Sequence, residues 1–151
     1  MSATLLDIFV SADQIAIRAL IDAACQARYN KDVKAIAATY APHAPLFTLA
    51  PPLAHDGLNV EQTQGWLDTW DGPIELEPKD VKITVSGDSA FYYGFLHMTG
   101  TKKGPEGKVD FWMRWTVCLE RQTGAWKIVH EHASVPFYMD GSLRPAFDLR
   151  P

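Results

Sequence analysis

Two closely spaced histidines and one arginine are the residues of this 151-residue chain best suited to chemistry. His130 and His132 lie in the run W-K-I-V-H-E-H-A-S, and Arg114 lies in the run F-W-M-R-W-T. Alternate residues of a strand share a face, so both imidazoles should point the same way. Histidine moves protons near neutral pH, and arginine can hold an oxyanion with two hydrogen bonds. We therefore predict His132 as a catalytic acid–base and Arg114 as an oxyanion stabiliser.

The pairing of the two strands decides whether these groups meet. We expect residues 122–124 to form a three-residue hairpin loop, which places the polar groups together on the inner face, at the floor of a pocket. A four-residue loop would oppose Arg114 to Ala133 instead, because a slip of one residue moves side chains to the other face. In the expected register the opposed pairs are Arg114 with His132, Thr116 with His130, and Trp112 with Ser134.

Aromatic, hydroxyl and imidazole side chains should complete this pocket. Flat aromatic walls suit an apolar molecule and the arginine suits an anionic one, so we expect a small apolar or anionic organic ligand. The alternative is that the histidines are half-buried residues bonded to their neighbours and that the aromatic residues only pack in the core. The predicted binding residues are Trp112, His130, Ser134, His97, Thr116, Trp66, Trp70 and Tyr40.

Other chemistries have little support in the sequence. The His-x-His pair with His97 could ligate zinc, but the neighbouring Arg114 disfavours a cation and no HExxH motif is present, so no metal is predicted. Nucleotide-binding glycine loops and the serine-hydrolase GxSxG motif are also missing, and no cofactor is predicted. The two cysteines are far apart and do not suggest a disulfide framework.

Composition indicates an ordinary globular protein. The net charge is −4, from 14 basic and 18 acidic residues, and no basic stripe suggests a nucleic-acid partner. No apolar run has membrane-spanning length and the first residues are not basic, so we expect a cytoplasmic protein with no membrane partner. The length predicts one domain over 1–151, with a core at about 11–136 and an irregular tail at 137–151.

Helical periodicity precedes strand alternation along the chain, which predicts an α+β fold. We expect helices at about 12–29, 33–40 and 60–70, opened by Ser11, Asp32 and Asn59. A short strand at 46–49 and longer strands at 81–85, 91–99, 110–121 and 126–135 complete the prediction.

Two of the long strands are apolar on both faces, although helices can cover only one side of the sheet. We assign Met113 and Trp115 to the outer face, with the polar set on the inner one. The uncovered apolar face predicts a homodimer formed through the outer face of the sheet.

Several short motifs together resemble the SnoaL-like, or ketosteroid-isomerase-homologue, branch of the nuclear transport factor 2-like superfamily. The motifs are Asp88-x-Ala90, Gly100-Thr101, Arg114-Trp115-Thr116 and the run G-x-W-K-I-V-H-E-H-x-S-x-P that ends at Pro136. The resemblance implies a cone-shaped, strongly curved antiparallel sheet wrapped around N-terminal helices, as in a cystatin-like roll. It also implies a pocket at the open end and a homodimer through the outer face.

Members of that branch include isomerases, polyketide cyclases, dehydratases and non-catalytic binding or association modules. The resemblance thus implies a small-molecule-binding protein, either a cofactor-free isomerase, cyclase or dehydratase using His/Arg acid–base chemistry, or a non-catalytic ligand-binding or protein-association module. Ketosteroid isomerases carry a catalytic Asp directly before a Pro, whereas this chain has Leu49-Ala50-Pro51-Pro52 at the corresponding stretch. We therefore do not expect a true ketosteroid isomerase.

Overall fold

The computed structural model describes residues 11–151, and each of its three α-helices begins at a capping side chain. The side chains of Ser11, Asp32 and Asn59 each accept a hydrogen bond from the backbone N–H three residues further on. These are the predicted caps. The helices are α1 (Ala12–Tyr29), α2 (Val33–Ala38) and α3 (Val60–Asp68). Within residues 11–151, none of them is long and apolar enough to cross a membrane.

In the described part of the chain, six strands form one curved, unclosed sheet that wraps around the helices, in the order β2-β1-β6-β5-β4-β3. All neighbours are antiparallel except β1 and β6, which are parallel. The predicted α+β class and curved sheet are confirmed. The strands are β1 (Pro45–Phe47), β2 (His55–Asp56), β3 (Glu75–Ser86), β4 (Ser89–Thr101), β5 (Lys108–Gln122) and β6 (Ala125–Ser134).

A bulge in β3 explains why this strand begins earlier than alternation predicted. The pairing with β4 shifts between Lys79 and Lys82, so the two halves of β3 do not share one alternating pattern. Gly94 of β4 lies against this bulge, where a Cβ would come within 2.8 Å of the Lys79 carbonyl oxygen. Glycine is required there because the two backbones approach so closely, and the bulge bends the sheet at this point.

The structure assigns the two faces of β5 opposite to our prediction. Met113 and Trp115 are each 4% exposed and lie on the inner face with Val117 and Leu119, whereas Arg114 and Thr116 lie on the outer face. Helix α1 packs over the more apolar face of the sheet, which is therefore the inner face. The opposite arrangement would bury Arg114 without a partner and would cost stability. The assignment of Met113 and Trp115 to a subunit interface is therefore wrong.

The predicted register of β5 against β6 is also wrong. The hairpin turn has two residues, Thr123 and Gly124, with φ of 48° and 81°, so Gln122 pairs with Ala125. A bulge then shifts the pairing beyond Leu119, because β6 has one extra residue there. The resulting pairs are Arg114 with Ser134, Thr116 with His132, and Cys118 with His130.

Candidate ligand-binding cavity

A cavity of about 800 Å³ lies between the inner face of the sheet and the helices. This volume is within the range of sites for drug-sized molecules. Aromatic and aliphatic side chains make up most of its wall, and a small group of polar side chains lies among them. The main apolar lining residues are Leu46, Leu58, Trp66, Trp70, Leu96, Met98, Phe111, Met113 and Trp115.

Four polar groups, from α1, β5, β6 and the segment after α2, form a connected network in this wall. Arg28 of α1 donates to the Tyr40 hydroxyl through Nη2 at 2.8 Å and to the Ala24 carbonyl oxygen through Nη1 at 3.0 Å. The Tyr40 hydroxyl donates to Glu131 Oε2, and Trp115 Nε1 donates to Glu131 Oε1 at 2.6 Å. Each carboxylate oxygen of Glu131 thus accepts one hydrogen bond, and Arg28 balances its charge through Tyr40.

Burial and charge set the protonation states of this network. Burial raises the pKa of the Tyr40 phenol above its ordinary value, and the carboxylate of Glu131 raises it further against the opposing effect of Arg28. Burial lowers the pKa of Arg28, but Tyr40 and Glu131 outweigh it, so the pKa of the guanidinium lies above its usual range. Tyr40 is therefore neutral and Arg28 charged at neutral pH.

Cys25 also lines the cavity but is not a nucleophile there. Burial raises the pKa of its thiol to about 11, so the thiol keeps its proton at neutral pH. The thiolate is the reactive form of cysteine. Cys25 consequently contributes to packing and to the shape of the cavity.

Two indoles form one wall of the cavity. Trp66 and Trp70 meet edge to face, with ring centroids 5.7 Å apart. Trp70 is 2% exposed and packs on β4 at Gly100, where a Cβ would come within 2.8 Å of its Cζ3 atom. Gly100 therefore lets the indole lie directly on the strand, which explains a glycine at this inner position.

The C-terminal segment closes against the rim of the cavity. Phe147 lines the cavity and packs on Phe111 with ring centroids 4.8 Å apart. Arg150 Nη2 lies 3.7 Å from the Asp110 carboxylate. An isolated bridge between Phe137 and Pro145 folds the segment back on itself. Apart from this bridge, the residues after 136 form neither a strand nor a helix, but they contribute to the site.

Three of the predicted site residues lie in the cavity wall and seven do not. Tyr40, Trp66 and Trp70 line the cavity. The expected pocket floor of Arg114 and His132 is wrong, because the more apolar face of β5, with Met113 and Trp115, packs inward and leaves both residues on the outer face. The residues found on the outer face are His97, Trp112, Arg114, Thr116, His130, His132 and Ser134.

These outer residues are mostly engaged with one another or with the backbone. His97 Nε2 lies 2.7 Å from the Asp110 carboxylate, and its ring stacks on Trp112 with centroids 4.4 Å apart. Arg114 Nε donates to Ser134 Oγ at 3.1 Å. The remaining contacts are His130 Nδ1 with the Pro45 carbonyl oxygen at 2.6 Å and the His132 ring edge-on to Phe47 at 5.4 Å. Across residues 11–151, no three His, Cys, Asp or Glu side chains group as a metal site requires.

Sequence reasoning did not select Arg28, Trp115 or Glu131. Alternation along β6 correctly placed Glu131 on the face opposite the histidines, but that face was taken as the outer one. A single carboxylate on the more apolar face of the hairpin was the available signal, because a carboxylate placed there must find hydrogen-bonding partners.

Comparison with known families agrees with this architecture. A family model described as a SnoaL-like domain matches residues 17–138. The chain belongs to the SnoaL-like domain family, and its fold is that of the nuclear transport factor 2 (NTF2)-like superfamily. No curated protein matches the chain.

Solved structures show the same fold at low sequence identity. An NTF2-like protein of unknown function from Pseudomonas putida is 29% identical, with a TM-score of 0.81, covering 93% of this chain and 97% of that one. A ketosteroid isomerase-like protein from Erwinia carotovora is 22% identical, with a TM-score of 0.66 and coverage of 82% and 96%. A protein with a cystatin-like fold from Caulobacter vibrioides is 20% identical, with a TM-score of 0.68 and coverage of 82% and 89%.

Proposed function

We propose that this protein binds a small, flat, largely apolar organic molecule in the cavity between the sheet and the helices. The observation that carries the proposal is the cavity itself, about 800 Å³ with aromatic walls and one polar network. Ligand sites typically combine a mostly apolar wall with a few placed polar groups that orient the ligand. Trp66, Trp70 and Phe111 supply the flat surfaces, and Glu131 supplies the orienting group.

The polar network favours binding over proton transfer. The Tyr40 hydroxyl donates a hydrogen bond to Glu131, and the raised pKa of the phenol opposes the loss of its proton. Arg28 stays charged and donates a hydrogen bond to the Tyr40 hydroxyl. A general acid or base must exchange a proton with the substrate, whereas these groups exchange hydrogen bonds with one another. Glu131 keeps lone pairs that can accept a hydrogen bond from a ligand hydroxyl or amide.

We also propose that a second copy of the chain covers the outer face of the sheet. Three aromatic side chains follow one another there at alternate positions of β4, with Phe91 44%, Tyr93 42% and Phe95 36% exposed. Phe91 and Tyr93 stack with ring centroids 6.2 Å apart. A contiguous apolar surface of this kind is typical of an interaction site, and two-fold homodimers are the commonest oligomers.

A matched pair of substitutions on β6 tests ligand binding. Ala133 lines the cavity, whereas Ala125 is exposed at the other end of the same strand. We expect flat naphthalene derivatives such as 2-naphthamide to raise the melting temperature of the wild type and of Ala125→Phe, because a ligand at 100 times Kd stabilises by about 2.7 kcal/mol. Ala133→Phe fills the cavity and should abolish the shift. Equal shifts in both variants, or no shift in the wild type, would contradict the proposal.

A further inference from the structure

We infer that Lys102 forms an anion subsite at the Trp66–Trp70 wall, so that the ligand carries a carboxylate beside its apolar body. This inference rests on the proposed binding function, because it names the chemical class of molecule that the same cavity accepts. The argument depends on how the backbone of Lys102 is held, on where its ammonium lies, and on which charges around it are already paired.

The backbone of Lys102 is fixed between α3 and the β4–β5 loop. Its N–H donates to the Gly107 carbonyl oxygen at 2.7 Å, and it forms an isolated antiparallel bridge with Trp70. The next N–H, from Lys103, donates to the Thr69 carbonyl oxygen at 2.8 Å. The Cα of Lys102 is thus anchored at the edge of the cavity, and its side chain extends along the cavity wall.

The ammonium is held over the two indoles. Lys102 Nζ donates to Thr69 Oγ1 at 2.6 Å, and the Thr69 hydroxyl donates to the Trp66 carbonyl oxygen. Nζ lies 4.6 Å from the centroid of Trp70 and 5.8 Å from that of Trp66, where the ring faces attract a cation. An ammonium has three N–H donors, and Thr69 takes one. Two donors remain for a ligand.

Within residues 11–151, Lys102 is a half-buried cation of the cavity wall that has no counter-charge. Arg28 reaches Glu131 through Tyr40. The rim carboxylate of Asp110 is engaged by His97 and Arg150. Among residues 11–151, no carboxylate lies within 4.0 Å of Lys102 Nζ, and Glu106 and Lys108 at the rim are exposed.

An ammonium makes a stronger hydrogen bond to a charged acceptor than to a neutral one. A carboxylate attached to a flat ring could lie against Trp66 and Trp70 while reaching Nζ, whereas the oxygen of a neutral amide would accept only a weaker hydrogen bond there. The geometry therefore selects aromatic carboxylates over their uncharged amides.

Two isosteric probes and a matched pair of lysine variants test the subsite. Dissociation constants are measured by calorimetry for 2-naphthoate and 2-naphthamide with wild type, Lys102→Met and Lys103→Met. Methionine keeps the length and apolar contacts of lysine, and the exposed Lys103 is the adjacent control. We expect the wild type to prefer naphthoate by about tenfold, equivalent to about 1.4 kcal/mol. Lys102→Met should lose this preference while its affinity for naphthamide changes by less than about twofold, and Lys103→Met should match the wild type.

The outcomes separate the two proposals. If naphthamide binds the wild type and naphthoate binds no better, the anion subsite is overturned while the proposed binding function stands. An equal loss of both probes in Lys102→Met would also overturn it, because that result indicates a packing role. If neither probe binds the wild type, the proposed function fails and the subsite fails with it.

Discussion

Trp115 Nε1 lies 2.6 Å from Glu131 Oε1, so an indole of β5 holds a carboxylate of the neighbouring strand β6 in the wall of an apolar cavity. The two residues are diagonal neighbours in the hairpin, since Trp115 pairs with Ala133 and Glu131 with Val117. Tyr40 donates to the other carboxylate oxygen. Since Arg28 of α1 donates to Tyr40, the network joins the sheet to α1 at the proposed ligand site.

Glu131→Gln should destabilise the protein. The substitution removes the charge that balances Arg28. It also replaces one carboxylate oxygen with an NH₂ group, which cannot accept the hydrogen bond that Tyr40 or Trp115 donates to that oxygen. We expect the free energy of unfolding at pH 7 to fall by about 1–3 kcal/mol, measured by urea denaturation. Glu120→Gln makes the same change at an exposed position of β5 and should have little effect. Similar losses in both variants would contradict a structural role for the network.

Cys25 should make stability depend on pH in the alkaline range. Its thiol keeps its proton up to a pKa of about 11 in the folded state but titrates near 9.0 when unfolded. The unfolded chain therefore binds fewer protons between these values, and the free energy of unfolding falls as pH rises, by at most about 1.4 kcal/mol per pH unit. Relative to wild type, Cys25→Ala should become progressively more favourable from pH 9 to 11 in urea denaturation. Cys118→Ala controls for the loss of a thiol elsewhere, and an offset for Cys25→Ala that does not change with pH would disprove the prediction.

Gly100→Ala should displace Trp70. The added Cβ would come within 2.8 Å of Cζ3 and 3.0 Å of Cε3 on a ring that has little room to move. Overpacking of this kind costs about 1–3 kcal/mol, and the altered wall should also weaken binding of 2-naphthamide. Gly65→Ala in α3, where a Cβ meets nothing within 4 Å, should instead stabilise the helix by up to about 1 kcal/mol. Thermal denaturation of both variants is the measurement, and a neutral Gly100→Ala would show that the strand can move away from the indole.

Tyr93→Lys should disrupt the proposed dimer without affecting the fold. Tyr93 lies in the middle of the exposed aromatic row of β4, and a lysine there places like charges opposite each other across a two-fold interface. We expect light scattering to give a dimer mass for the wild type and a monomer mass for Tyr93→Lys at micromolar concentration. Ile15→Lys changes an exposed apolar residue on α1 and should remain dimeric. A monomeric wild type would refute the interface.

Local signals in the sequence were sufficient for the three helices, for most of the strands and for part of the site. The caps at Ser11, Asp32 and Asn59 satisfy N–H groups of their own first turns, so they can be identified without knowledge of the fold. Alternation likewise placed Glu131 on the face of β6 opposite the histidines, because the two-residue period of a strand is a property of its own backbone. The motifs that resemble the SnoaL-like branch identified the family correctly.

The tertiary structure decided which face of the sheet became the interior. Local alternation is the same whether Arg114 or Trp115 points inward, and only the packing of α1 over the apolar face separates the two cases. The two-residue turn at Thr123 and the bulge near Leu119 then set which residues are paired. Arg28, Tyr40 and Glu131 come from distant parts of the chain. They meet because a half-buried carboxylate in an apolar wall is stable only where the fold supplies donors and a compensating charge.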